Sequence, residues 1–249
     1  MTKLPFNKDI LYKKYKKSFL QQAVVVFHYS QKDVENINFE KWKKYTQEMF
    51  STQIEKSFMD DKVAIGKKDG SIEYLFVKDL VAVRIQGKDY VSFGDTVIPQ
   101  IYRMRKFLKD VVKLGAVDGF DIRKWDLWQV RPEKKELSIK NEILHFFLSE
   151  QFLRYNENLD APEPKIPGEE FIKGFKWVVD DGKNLSVNSS IFSSKEAKES
   201  INLMLYSDCE IRKNIPLDQV EEQLENANLD LFKIFDWSVS ENTKSLMRE

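Results

Sequence analysis

An α+β fold, with antiparallel sheets and long helices packed on them, is what the hydrophobic periodicity of the chain predicts. Three observations carry this. Asp-Gly turns in KKDG (67–70) and DDGKN (180–184) each separate two apolar runs, a strong hairpin signal because Gly accepts positive φ. Several short runs alternate apolar and polar residues with the period of a strand, and others carry an apolar stripe with the period of a helix.

Taken in order, QAVVVFHYS (22–30) is a β-branched, aromatic run bounded by polar residues and reads as a buried strand. Phe39, Trp42, Met49, Phe50 and Ile54 recur at near-helical spacing, predicting a helix over 38–57 with Asn38 as its N-cap. Residues 62–68 and 71–78 are the arms of the KKDG hairpin, and 81–85 with 90–93 the arms of a second hairpin across QGKD. The period then changes. Asp95 or Thr96 can cap a helix with Pro99 in its first turn, Ile98, Ile101, Tyr102, Leu108 and Val112 as its core face, and Gly115 at its end.

FDIRKWDLWQVR (120–131) predicts a strand, and residues 138–155, capped by Ser138, a helix. NENLDAPEPKIPG (156–168) holds three prolines and predicts a surface loop. Residues 173–179, 185–192 and 201–211 read as an antiparallel meander. Pro216 opens a last helix striped by Val220, Leu224, Ala227, Leu231 and Phe235, and the tail WSVSENTKSLMRE reads as a final turn or a short helix. The order of elements is compatible with two similar strand-helix-hairpins-helix halves.

With 42% hydrophobic residues and 18 Phe, 9 Tyr and 5 Trp, the 249 residues hold ample apolar surface for a core. Cys209 is the only cysteine, so one chain can form neither an internal disulfide nor a cysteine-based zinc site. The N-terminus lacks the apolar run of a secretory signal and no stretch of about 18 apolar residues occurs, which predicts a cytoplasmic protein that does not engage a membrane. Forty basic and 40 acidic residues cancel, yet residues 1–115 carry +8 and residues 116–249 carry −8. Those boundaries predict a basic N-terminal α+β half and an acidic C-terminal one.

The C-terminal LDLFKIFDWSVSENTKSLM resembles the signature of a sporadically distributed prokaryotic family of uncharacterised proteins of about 250 residues. AVVVFHYS, YVSFGDTVIPQIYRMRKFLKDVV and DDGKNLSVNSS are similar to that family's parts in the same order, so the resemblance spans most of the chain. It departs at IRKWDLWQV, where the family carries an Arg-rich strand with an Asn. The resemblance implies a prokaryotic origin and names no functional residue.

Chemistry is sparse in the sequence. His28 and His145 lie in apolar runs with no neighbouring ligand type, and no HExxH, HxH or CxxC occurs, so neither metal nor other cofactor is expected. No GxSxG, GxGxxG or P-loop is present, and Cys209 has no local base. Asp60-Asp61, Glu169-Glu170, Asp180-Asp181 and Glu221-Glu222 are carboxylate pairs of the kind that solvated turns and helix faces carry. Trp125 and Trp128 fall on opposite faces of one strand.

Two basic sets combine phosphate-seeking charge with aromatic faces or a helical surface. One is Lys13, Lys14, Lys16 and Lys17 among Tyr12, Tyr15 and Phe19; the other is Arg103 and Arg105 with Lys106, Lys109 and Lys113. The reading that follows is a non-catalytic interaction or accessory protein with a protein partner or self-association. Nucleic-acid binding through the basic half, at Lys13, Lys14, Lys16, Lys17, Arg103 and Arg105, is the first alternative. An enzyme with a spatially assembled carboxylate site is the second.

Overall fold

The computed structural model describes residues 4–6, 18–30, 44, 54–59, 62–67, 69–131, 138–155, 169–180, 182–193 and 200–248. It is an α+β fold of antiparallel strand pairs with helices packed on them. The chain divides into two compact units. The first comprises Gln22–Arg123 with Glu210–Asn228; the second comprises Met1–Gln21, Lys124–Cys209 and Leu229–Glu249.

In the first unit the strand order is β2-β3-β4-β5-β1-β7, where β1 is Leu20–His28, β2 Ile54–Met59, β3 Lys62–Lys67, β4 Ile72–Val77, β5 Leu80–Gln86 and β7 Gly119–Val130. The KKDG turn joins β3 to β4 as the sequence predicts, with Gly70 at φ 70° and the Asp69 carboxylate accepting from Ser71 N at 3.0 Å. Ile72, Tyr74 and Phe76 of β4 and Val81, Val83 and Ile85 of β5 point inward in strict alternation, while Glu73 and Arg84, register partners, form an ion pair on the other face.

Two expectations need correction here. The helix over 38–57 lies mostly outside the described residues, but its last positions, Ile54–Ser57, are in β2, paired antiparallel with β3. No hairpin forms across QGKD. The true partner of β5 on one side is β4, reached through Lys78–Asp79, and on the other side β1, from Gln22↔Gln86 to His28↔Leu80. With both edges taken, Gly87–Asp89 make a 3-10 turn and Val91 is left exposed.

Ser92, rather than Asp95 or Thr96, opens the helical segment: its Oγ accepts from Asp95 N at 3.0 Å. A π-helical turn Phe93–Val97 leads into α1, Ile98–Phe107, and a second such turn, Leu108–Val112, ends at Lys113 in the left-handed conformation, two residues before Gly115. Ile101, Met104, Phe107 and Leu108 are buried, with Phe107 4.6 Å from the Phe76 ring, whereas Tyr102, expected on the core face, is 55% exposed.

Beyond α1, a short pair, β6 (Ala116–Val117) and β11 (Ile215–Pro216), ties the residues after the helix to the segment entering α4, Val220–Ser238. Pro216 thus belongs to a strand; the helix starts four residues later. Gly119, at φ 150°, lets the start of β7 pass against the Ile211 carbonyl oxygen, and a Cβ there would overlap that oxygen. Gly119→Ala should lower stability by about 2 kcal/mol through backbone strain and displacement of the Ile211 carbonyl. An unchanged urea midpoint would show the approach is not needed.

In the second unit the order is β7-β10-β9-β8, with β8 Glu170–Asp180, β9 Lys183–Ser193 and β10 Ile201–Ile211. The β8–β9 hairpin runs antiparallel in the register Phe175↔Val187 and Trp177↔Leu185. The expected helix over 138–155 is two helices, α2 (Ser138–Phe147) and α3 (Glu150–Arg154). Leu148 bridges Val239 at the break, and Ser149 caps α3 by accepting from Phe152 N at 3.0 Å while donating to the Trp237 carbonyl at 2.6 Å. A distant segment therefore breaks a helix that local periodicity would continue.

All five stripe residues of α4 are buried, and α5 (Glu241–Arg248) is the tail helix the sequence predicts. Trp125 and Trp128 diverge as alternation requires: Trp125 meets Tyr206 at 5.0 Å, and Trp128 meets Phe19 at 5.7 Å and Phe147 at 5.6 Å. Cys209 is buried. No helix among the described residues is long and apolar enough to cross a membrane.

Candidate functional site

Two arrangements in the first unit combine polar chemistry with access to solvent. The first is a cleft of about 590 Å³ lined by Tyr102, Arg105, Lys106, Lys109, Asp110, Leu114, Gly115, Leu217 and Asp218. One wall is α1 and the turn after it, where residues three, four and seven positions beyond Tyr102 share its face. The other wall exists because β6 and β11 hold 114–115 beside 217–218, with Leu217 N donating to the Gly115 carbonyl at 3.0 Å.

Arg105 is placed by two neighbours: its guanidinium carbon lies 5.5 Å from the Tyr102 ring centre, and Glu221 in the first turn of α4 lies 3.1 Å from one of its terminal nitrogens. Glu221 Oε1 accepts no well-aligned hydrogen bond among the described residues, so charge proximity holds the pair. Lys106, Lys109 and Tyr102 are exposed.

The second arrangement centres on Asp121, whose side chain is fully buried. One carboxylate oxygen accepts from His28 Nε2 at 3.1 Å and from Arg123 at 2.8 Å; the other accepts from Arg212. Burial by itself pushes the carboxyl up, but the hydrogen bonds and charges of His28 and Arg212 outweigh it and lower its pKa to about 2. The carboxylate can only accept, so Nε2 of His28 carries the hydrogen and the ring's other nitrogen is the acceptor when the imidazole is neutral.

A further pair of displaced groups sits in the second unit. Burial pushes Lys124 down and Asp126 up, each partly restrained by the other's charge two residues away on β7.

Of the six residues expected to touch nucleic acid, Lys13, Lys14, Lys16 and Lys17 lie outside the described residues. Arg105 lines the cleft. Arg103 is on the same helix but not on the lining, and it hydrogen-bonds Tyr74 instead. Among the carboxylate pairs, Asp60, Asp61 and Asp181 lie outside the described residues, Glu170 meets Lys140, and Glu221 meets Arg105.

The Asp121 cluster escaped sequence reasoning because its members stand at positions 28, 121, 123 and 212 on or beside three different strands. The signal that could have found it is a lone acid between Phe120 and Ile122 in an otherwise apolar strand start. His28 therefore has a partner after all, 93 residues away. His145 pairs with Glu150 at 2.9 Å on the surface. No protein-family model matches the chain, and no curated protein matches it in sequence.

Proposed function

We propose that the chain is a non-catalytic interaction or accessory protein of the prokaryotic cytoplasm and that it engages its partner through the α1 cleft. The observation that supports this is the composition of the lining. Tyr and Arg are the residue types that dominate binding energy at recognition surfaces, and here an exposed Tyr102 and a pre-positioned Arg105 stand together beside two exposed lysines. The volume also falls in the range of about 300–1,000 Å³ typical of ligand sites.

Cross-linking the protein to its partners in host lysate tests the reading. Cross-links to a stoichiometric partner should map to Lys106 and Lys109 and disappear in Lys106→Glu/Lys109→Glu. Cross-links confined to other surfaces would overturn it. A second reading, an enzyme with an assembled carboxylate site, is favoured by the orientation of His28 by Asp121, the relation a general base needs. Turnover in a metabolite screen that His28→Gln abolishes would establish that reading and remove the first.

A further inference from the structure

We infer that the ligand of the α1 cleft is single-stranded nucleic acid, with phosphates on Lys106 and Lys109 and one base stacked on Tyr102. The inference rests on the reading that this cleft is the recognition surface, and it names what that surface recognises.

Three features of the lining select this chemistry. Tyr102 is 55% exposed on a helix face, with the Arg105 guanidinium over its ring at 5.5 Å, so the side chain is held from one side while more than half of its surface stays open. Bases stack on such a ring whatever their identity, because each has a π-face. In a duplex those faces are already stacked on one another, so only an unpaired strand can offer one.

Lys106 and Lys109 lie four and seven residues beyond Tyr102, about 6 and 10 Å along the helix axis. A base on the ring and phosphates on the two lysines therefore fit one strand running along α1. Arg103 on the same helix and Lys113 just after the turn that follows it add charge outside the cleft lining, and such charge draws a polyanion with an affinity that falls as salt rises.

Asp110 and Asp218 separate this ligand from a merely acidic one. Both line the cleft. They would repel an acidic peptide along its whole length, whereas bases and sugars carry amino and hydroxyl donors for them to accept from. A nucleotide strand alternates the two requirements, anionic groups for the lysines and donors for the carboxylates.

Fluorescence anisotropy with labelled 12-nucleotide DNA and RNA strands, the matching duplexes and a poly-glutamate peptide at about 50 mM salt tests this on the full chain. A single strand should bind, the duplex and peptide at least about tenfold more weakly. Tyr102→Ala should weaken the strand about tenfold, in keeping with stacking of 1–3 kcal/mol per base, and Tyr102→Phe should restore it to within about twofold. Lys106→Gln should reduce the slope of log K against log salt by about 0.7, the value for one phosphate contact on a single strand.

These side chains are exposed or at the rim, and circular dichroism of each variant checks that the fold is intact. If neither strand binds, or poly-glutamate binds more tightly, while cross-links from lysate still map to Lys106 and Lys109, the nucleic-acid inference falls and the cleft reading stands. If no cross-link maps to the cleft and no strand binds, both fall. Binding that Tyr102→Ala leaves unchanged would place the strand elsewhere and overturn the inference.

Discussion

Trp177→Ala should destabilise the protein by about 4 kcal/mol. Trp177 is 1% exposed and sits where four aromatic side chains converge. Its ring centre is 5.8 Å from Phe175, 6.0 Å from Trp237, 6.1 Å from Phe6 and 6.5 Å from Tyr155. Phe152 extends the cluster, 5.3 Å from Phe175 and 5.6 Å from Trp237. Removing the indole leaves a cavity that these rings cannot fill together, because Trp237 is tied by its carbonyl to Ser149 and Phe175 by its register with Val187.

A second variant separates shape from polarity. The indole N–H of Trp177 is buried with no hydrogen-bond partner among the described residues. Trp177→Phe loses volume but also removes that unmet donor, so the two terms oppose and the net loss should stay under about 1.5 kcal/mol. Urea unfolding followed by far-ultraviolet circular dichroism measures both. Equal losses for Ala and Phe would mean that the N–H is satisfied or that the rings repack.

How much of this was legible in the chain depends on the distance over which each feature is determined. The KKDG hairpin was readable because Asp69 and Gly70 fix the turn locally and their neighbours alternate. The stripe of α4 was readable for the same reason. Residues 90–93 look like a strand and are not, because the second edge of β5 is taken by β1, some 60 residues earlier. The break at Leu148 depends on Val239, 91 positions away. At the sites, Arg105 stood out as part of a basic helix, but its cleft needed Leu217 and Asp218, brought alongside by the β6–β11 pair. Periodicity points Tyr102 inward because it gives a stripe's direction and not its width. Asp121 has only Arg123 in its own segment, and the cluster is completed by His28 and Arg212, which arrive from segments that only the fold makes neighbours.

That dependence makes Asp121 the most informative polar residue to change. Asp121→Asn keeps the shape of the side chain and removes the charge on which His28, Arg123 and Arg212 converge. Breaking a buried charge contact this way typically loses 3–5 kcal/mol, and because the two arginines are 39% and 43% exposed and can rehydrate, a loss of about 3 kcal/mol is expected at pH 7. The sign of the pH dependence follows from the lowered pKa. The folded carboxyl titrates near 2 and the unfolded one near 3.9, so the stabilisation is fully present above the unfolded value and is lost as pH falls through the folded one. The linked free energy is on the order of 2.5 kcal/mol, of which about half has gone by pH 3. Wild type and Asp121→Asn should therefore converge as pH is lowered from 7 to 3, by about 1 kcal/mol in urea unfolding. A gap that stays constant over this range would mean that the Asp121→Asn variant fails through packing, and that His28 and the two arginines do not depend on the ionised carboxylate.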